Sequence, residues 1–467
     1  MKKEAKGKSG AGAVAEPKPA LGMTDAIAVI VGIVIGAGIF RTPSLVANNT
    51  ESGGMFLLAW LLGGVVSLIG ALCYAELSTT YPHTGGDYHF LTRAFGKRLA
   101  FLFAWARMSV IQTGSIALLA FIIGDYAAQI YSIGQFSSVL YAALVVIVLT
   151  GINIIGVSVG AGTQKLLMGL EVVGILIVLV AGFFFAPPEV AASGAAAAVS
   201  KPSASLGLAM VFVLLTFGGW NEAAYISAEL RAGRKGMAVV LILSIVIITV
   251  VYLLINLSYL NALGLNGMAQ SDAVAGDLMR VTFGESGVVL IGVIVAVAAL
   301  TSVNATIFTG ARTNYALGRD FPVFSALGKW NAQTSSPANA FLVQGAISLA
   351  LICLGLITRN GFETIVEYTA PVFWFFLLMV GIALFVLRRK DPDPVRPFPV
   401  PLYPITPLIF CLTSAYLLYS SLAYTGLGAF VGIGVLAVGF LLLITLPGMQ
   451  EKQRKEPDKQ ESEVLDI

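Results

Sequence analysis

Ile35-Gly36-Ala37-Gly38-Ile39-Phe40 interrupts an apolar span that runs from Thr24 to about Ala47. Phe217-Gly218-Gly219-Trp220-Asn221-Glu222 interrupts another, from about Leu206 to Leu230. Each span is otherwise long enough to cross a bilayer, which takes about 20 residues. Clustered glycines free backbone N–H and C=O groups that lipid cannot satisfy, so such breaks persist only inside protein or along a polar cavity. Paired breaks at corresponding places in two halves of a chain point to the substrate site of a secondary transporter. Tight helix packing through small residues is the bland alternative, and Gly32 and Gly36 have the spacing for it. Breaks in both halves favour binding.

Outward from these breaks, the chain is 467 residues long, 57% hydrophobic and only 11% charged, with 50 glycines. Soluble domains carry roughly 25% charged residues, so this is an integral membrane protein. Twelve apolar spans follow: 24–47, 53–80, 98–128, 138–158, 164–186, 206–230, 238–262, 286–317, 338–358, 363–388, 402–423 and 428–447. The predicted fold is all-α, with twelve transmembrane helices. With the N-terminus in the cytoplasm, cytoplasmic loops, tails and the inner ends of spans hold 23 of the 28 Lys and Arg residues. The outer side then holds Arg41, Lys201, Arg280 and Arg359, and Arg107 falls inside the third span. This asymmetry predicts both termini in the cytoplasm.

The breaks fall in helices 1 and 6. The repeat is therefore five helices, 24–186 and then 206–388. Five is odd, so the second copy enters from the opposite face: a five-plus-five inverted repeat. Helices 11 and 12, 402–447, lie outside it. The tails 1–23 and 448–467 are polar and read as disordered, with no cleaved signal peptide. Ser271–Phe283 is expected as a short surface helix, and the Pro-rich run Asp391–Pro407 as a stiff linker.

The net charge of +3 is spread over loops and implies no nucleic-acid partner. Cys73, Cys353 and Cys411 lie in apolar spans and read as small core residues. No metal-ligand cluster, phosphate loop or nucleophile elbow is present in the sequence. Neither cofactor nor enzyme chemistry is expected, nor ATP-driven transport.

Several motifs together resemble one family. Gly70-Ala71-Leu72-Cys73-Tyr74-Ala75-Glu76-Leu77, Pro82-His83-Thr84-Gly85-Gly86-Asp87-Tyr88, Gly36-Ala37-Gly38-Ile39-Phe40, Phe217-Gly218-Gly219-Trp220-Asn221 and Arg312–Asp320 resemble stretches of the L-type amino-acid transporters. These belong to the amino acid–polyamine–organocation superfamily. The resemblance spans helices 1 to 10 and implies amino-acid transport by alternating access. It has three departures. Leu215 stands where a gating aromatic is usual, so occlusion would lean on neighbours such as Phe217. Glu171 stands where many members carry lysine. The loop Tyr131–Ser137 lacks the cysteine that animal members use to bond a heavy chain, so no disulfide-linked heavy chain is expected.

An amino acid is a zwitterion, and its site needs an anion holder and a cation holder. The half-helix starting near Gly38, with Ile35, Gly36 and Ala37 before it, offers N–H groups and a positive dipole end to a carboxylate. By resemblance, carbonyls at about Leu215 and Gly218 take the ammonium, with Phe217 and Asn221 beside them. Glu222 either faces the substrate side chain or caps freed N–H groups. Glu171, among apolar neighbours, is a candidate for proton coupling. Its alternative is a structural hydrogen bond to helix 1 or helix 8, with Thr301, Ser302 and Asn304 as candidates. Arg107 is expected to pair with an acidic group or snorkel, and Glu76 to be structural. The leading expectation is an L-amino-acid permease of the plasma (inner) membrane, a proton symporter or an exchanger. Alternatives are a cationic amino-acid or polyamine carrier, and a non-transporting amino-acid sensor.

Overall fold

The computed structural model describes residues 22–83, 85–155, 161–186, 205–222, 233–329, 331, 337–356, 361–392, 395–424 and 427–445. The expected tails and the second half of the sixth span, 223–230, therefore lie largely or wholly outside the described residues.

α1 (Met23–Val34) stops just before Gly36, whose backbone turns to φ −49° and ψ −175°. A 3-10 turn, Ala37–Phe40, and then α2 (Thr42–Asn48) continue the chain. Pro43 sits in the first turn of α2, where a missing N–H leaves no intrahelical bond unmade. The first span is thus two half-helices with a break between them, and the break is a local consequence of glycine.

α3 (Gly53–Thr80) begins where the Ser52 hydroxyl accepts the Met55 N–H at 3.2 Å. α4 (Gly86–Phe95) is a short helix between α3 and α5 (Lys97–Ala106). Gly96 makes the corner at φ +88°, a conformation glycine adopts without strain. α5 passes through a π turn, Arg107–Ile111, into α6 (Gln112–Ile130). Such bulges inside helices are frequent at functional sites.

α7 (Ser137–Ile155) and α8 (Ala161–Val180) follow. α9 (Leu206–Thr216) starts at Ser205, whose hydroxyl accepts the Leu208 N–H. It ends in a turn at 217–219, where Gly219 has φ +106°. α10 (Gly233–Ala269) kinks at Gly264, and α11 (Val274–Asp320) kinks at Gly284. The leg before Gly284 covers most of the expected surface helix, but the chain runs on from it into the long helix. α12 (Ala338–Leu354), α13 (Gly361–Lys390), α14 (Ile405–Tyr424) and α15 (Leu427–Thr445) follow.

Among the described residues, eight helices are long and apolar enough to cross a membrane, and three shorter ones are strongly apolar. Leu140, Leu144 and Ile147 lie along one face of α7 and are each more than half exposed. An exposed apolar stripe of that kind suits contact with lipid rather than water. Inside, glycines let helices close up. A Cβ on Gly63 or Gly64 of α3 would collide with Val213 of α9 or Thr249 of α10. The three cysteines are free. Cys73 is buried as expected, but Cys353 is exposed on α12, because its face of the helix points away from the core.

Candidate functional site

A cavity of about 300 Å³ lies between the two breaks. That is the small end of the range for small-molecule pockets. Gly36 and Gly38 line it from the first break. Leu215, Gly218, Asn221 and Glu222 line it from the second. Glu171 of α8 reaches the same space.

At the first break, no side chain caps the 3-10 turn Ala37–Phe40. Its N-terminal N–H groups have no side-chain acceptor there, which is the arrangement that suits an anion. The other end of the turn is fixed: the Tyr126 hydroxyl of α6 donates to the Phe40 carbonyl at 2.9 Å. Ile35 continues α1 by one hydrogen bond, its N–H donating to Val31 O at 2.8 Å.

At the second break, the Gly218 N–H donates to Leu215 O at 3.0 Å. One lone pair of the expected ammonium acceptor is therefore already used, and a carbonyl has two. Phe217 does not line the cavity. Its side chain is fully buried behind the break, against Trp60 at a centroid distance of 6.3 Å and Tyr252 at 4.9 Å. In this conformation, then, the ring expected to help close the site packs away from the cavity. The aromatic rings that do reach the cavity include Phe362 of α13.

Tyr252 of α10 was not singled out by the sequence. Its hydroxyl lies 2.6 Å from Val34 O and 3.1 Å from Thr216 O, so its one proton bonds the nearer carbonyl and leans toward the other. These are the carbonyls at the last residues of α1 and α9. One buried hydroxyl thus ties the two broken ends together. A tyrosine in an apolar span gives no local sign of such a role.

Glu171 is buried, and its Oε1 has no hydrogen-bond partner among the described residues. The Thr301 and Ser302 hydroxyls donate to their own helix, at Val297 O (2.9 Å) and Ala298 O (3.2 Å). Asn304 accepts from Asn153 at 2.7 Å. The hydroxyl protons of Thr301 and Ser302 and the Asn304 side-chain oxygen are thus engaged with other groups.

Arg107 pairs with Glu222: Nη2 donates to Oε1 at 3.0 Å and to Oε2 at 3.1 Å. Arg107 comes from the π turn and Glu222 from the end of the second break. Asp87, in the first turn of α4, faces this pair and also Tyr74 and Asn221. All three charged groups line the cavity. Burial pushes the Asp87 carboxyl up to about 7, against the opposing pull of Arg107. Glu76, read as structural, accepts from Arg388 Nε at 2.6 Å and from the Val400 N–H at 2.6 Å. It ties α3 to α13 and to the Pro-rich linker.

A second charge cluster gathers around Arg41, just after the 3-10 turn. Arg41 donates to Ser44 Oγ and to Ser271 O, both at 3.0 Å. Asp125 of α6 and Asp272 face it at 3.6 Å and 3.4 Å. Its guanidinium stands 5.8 Å from the ring centre of Phe362.

The sequence profile of the amino acid permease family matches residues 21–446. The b(0,+)-type amino acid transporter 1 of Mus musculus is 31% identical over 407 residues, 85% of this chain and 81% of that protein. The large neutral amino acids transporter small subunit 2 of Mus musculus is 30% identical over 452 residues, 93% and 82%. The cystine/glutamate transporter of Homo sapiens is 28% identical over 428 residues, 90% and 84%. A helical chain with many membrane-crossing segments, two glycine breaks facing one cavity, and matches along most of its length lead to one conclusion: this protein belongs to the amino acid permease family.

Proposed function

We infer that this permease carries L-amino acids across the plasma (inner) membrane by alternating access, as a proton symporter or an exchanger. Twelve spanning helices, with 24–186 and 206–388 as inverted halves and both termini cytoplasmic, form the working unit. The substrate carboxylate rests on the N–H groups at Gly36–Gly38, and the ammonium on carbonyls near Leu215 and Gly218. The observation that carries this is the uncapped turn after the first break, opening onto a cavity shared with the second. A preorganised anion holder with acceptors across from it fits a zwitterion of amino-acid size. Glu171 takes and releases the coupling proton. A carboxylate that faces a cavity inside a membrane without a partner for one oxygen supports that role. The chain works without a disulfide-linked heavy chain, since Tyr131–Ser137 has no cysteine.

Uptake of a labelled amino-acid panel into proteoliposomes, with and without a pH gradient, tests the whole. Gly38→Val should insert normally and lose substrate binding. A Cβ there stands only 3.4 Å from Thr216 Cγ2, and valine's methyls add bulk over the N–H groups. Unaltered uptake in that variant removes the first break from the site. Glu171→Gln should keep exchange and lose the response to a pH gradient; gradient-driven accumulation in it removes the coupling role. For topology, cysteines at Tyr131 and Val395, 70% and 80% exposed, should label from outside and inside respectively.

A further inference from the structure

The Arg107–Glu222 pair is not a closed unit, because a third charged group is built into the same wall. Asp87 is 4% exposed and Arg107 4%. Glu222 retains 29% exposure of its side chain. Three separate elements supply them: the first turn of α4, the π turn in the middle of the third span, and the end of the second break. Asp87 Oδ1 has no hydrogen-bond partner among the described residues, and this buried carboxylate lines the substrate cavity together with Arg107 and Glu222. With both carboxylates ionised these three groups carry a net charge of −1. With one protonated they are neutral overall.

We propose that Asp87 is a positioning and specificity-determining residue for amino-acid transport. Ionised, it shares the Arg107 guanidinium and leaves the cavity-facing oxygens of Glu222 available to a cationic substrate side chain; protonated, it leaves Arg107 to Glu222 and the wall favours neutral side chains. This rests on the assignment of the cavity as the amino-acid site. Glu222 alone would not do it. Paired with Arg107 by both oxygens, it is charge-balanced, so the excess charge has to come from a further group.

Several other charged groups around α4 have partners of their own. Tyr88 donates to Asp320 at 3.3 Å, and Arg93 pairs with Asp391 at 3.1 Å. From α13, Arg388 is held by Glu76 and Lys390 donates to Ala94 O at 2.9 Å. His83 and His89 stack with centroids 4.2 Å apart, and burial pushes both below the ordinary histidine range, His89 to about 4. From α3, the group facing Asp87 is Tyr74, and from the second break, Asn221 and Glu222. Burial raises the Asp87 carboxyl to about 7, so its charge changes across the neutral range. The interval from pH 6 to pH 8 brackets it.

The test is counterflow in proteoliposomes of the purified full chain, with equal pH on both faces. Labelled lysine and leucine are compared at pH 6 and pH 8, and the lysine side chain stays charged throughout. The lysine-to-leucine ratio should rise about tenfold from pH 6 to pH 8, the effect of one unit charge at close range in a partly screened site. Labelled glutamate should fall relative to leucine over the same interval. Asp87→Asn should fix the ratio near its pH 6 value. Glu222→Gln, which removes the acceptor while keeping Asp87, should flatten it too. A ratio in the unmodified protein that does not change with pH would overturn the proposal, even if Asp87→Asn does not fold. So would a slope that survives in Asp87→Asn or in Glu222→Gln. Absence of lysine and leucine counterflow at both pH values is a different failure, because it overturns the assignment of the cavity itself.

Discussion

Two arginines in this permease each face two carboxylates, and their surroundings differ. Arg107 pairs with Glu222 and shares the cavity wall with Asp87; Arg41 pairs with Asp125 and Asp272. Arg107 and Asp125 lie on one helical run, and at 1.5 Å per residue the two clusters are about 27 Å apart along it. The Arg107 cluster is enclosed by the cavity wall. The Arg41 cluster is open on one side, since the Asp272 side chain is 86% exposed. Enclosed charges act at low dielectric, while exposed ones are screened by water and salt. The first cluster can therefore sense charge within the cavity. The second mainly positions backbone, for Arg41 holds the Ser271 carbonyl more closely than it does Asp272.

The largest effect expected from this contrast follows removal of one enclosed partner. Glu222→Ala leaves Arg107 with an unbalanced charge, and breaking such a buried pair costs about 3–5 kcal/mol, here toward the lower end because Asp87 remains. Thermal melting in detergent should show this, and the double change Arg107→Met with Glu222→Leu should recover most of it. If the single change melts no earlier than the parent, the two clusters are not different in kind.

Arg41→Gln ranks next. It loses hydrogen bonds to Ser44 and to the Ser271 carbonyl, a loss of about 1–3 kcal/mol. Hydrogen exchange should quicken at 269–277 and stay unchanged across α4. Equal quickening at both places would mean that the clusters move as one unit.

Salt separates them more gently. Raising ionic strength from 0.1 to 1 M shortens the screening length from about 10 to about 3 Å. Exchange should then increase around Asp272 and not at Asp87. An increase at Asp87 would show that water already reaches the enclosed cluster.

Asp272→Ala should change least, by less than about 1 kcal/mol in melting, as exposed pairs do. A loss comparable to Glu222→Ala would place the real anchor of Arg41 at Asp272.

Much of the fold was legible because its signals are local. Gly36, Gly38, Gly218 and Gly219 announced both breaks, since glycine clusters in apolar spans act on the backbone within a few residues. Span positions followed from runs of apolar residues, and most helix ends lie close to the expected ones. Glu171 was legible as a carboxylate in an apolar run. The direction of the Phe217 ring was not legible, for the opposite reason. Its place in the break is a sequence fact, but the direction of its ring depends on Trp60 and Tyr252, which come from other helices.

By itself, then, the sequence determined that this is a membrane permease with glycine clusters in two apolar stretches and a carboxylate in a third. Only the tertiary structure decided which groups meet in the cavity. Arg107 and Glu222 are 115 residues apart, Tyr252 and Val34 are 218 apart, and Arg41 and Asp272 are 231 apart. Residues so distant along the chain become partners only when helices pack. Packing is set by the shapes of whole helix faces, such as the close approach at Gly63 and Gly64, and not by any one residue.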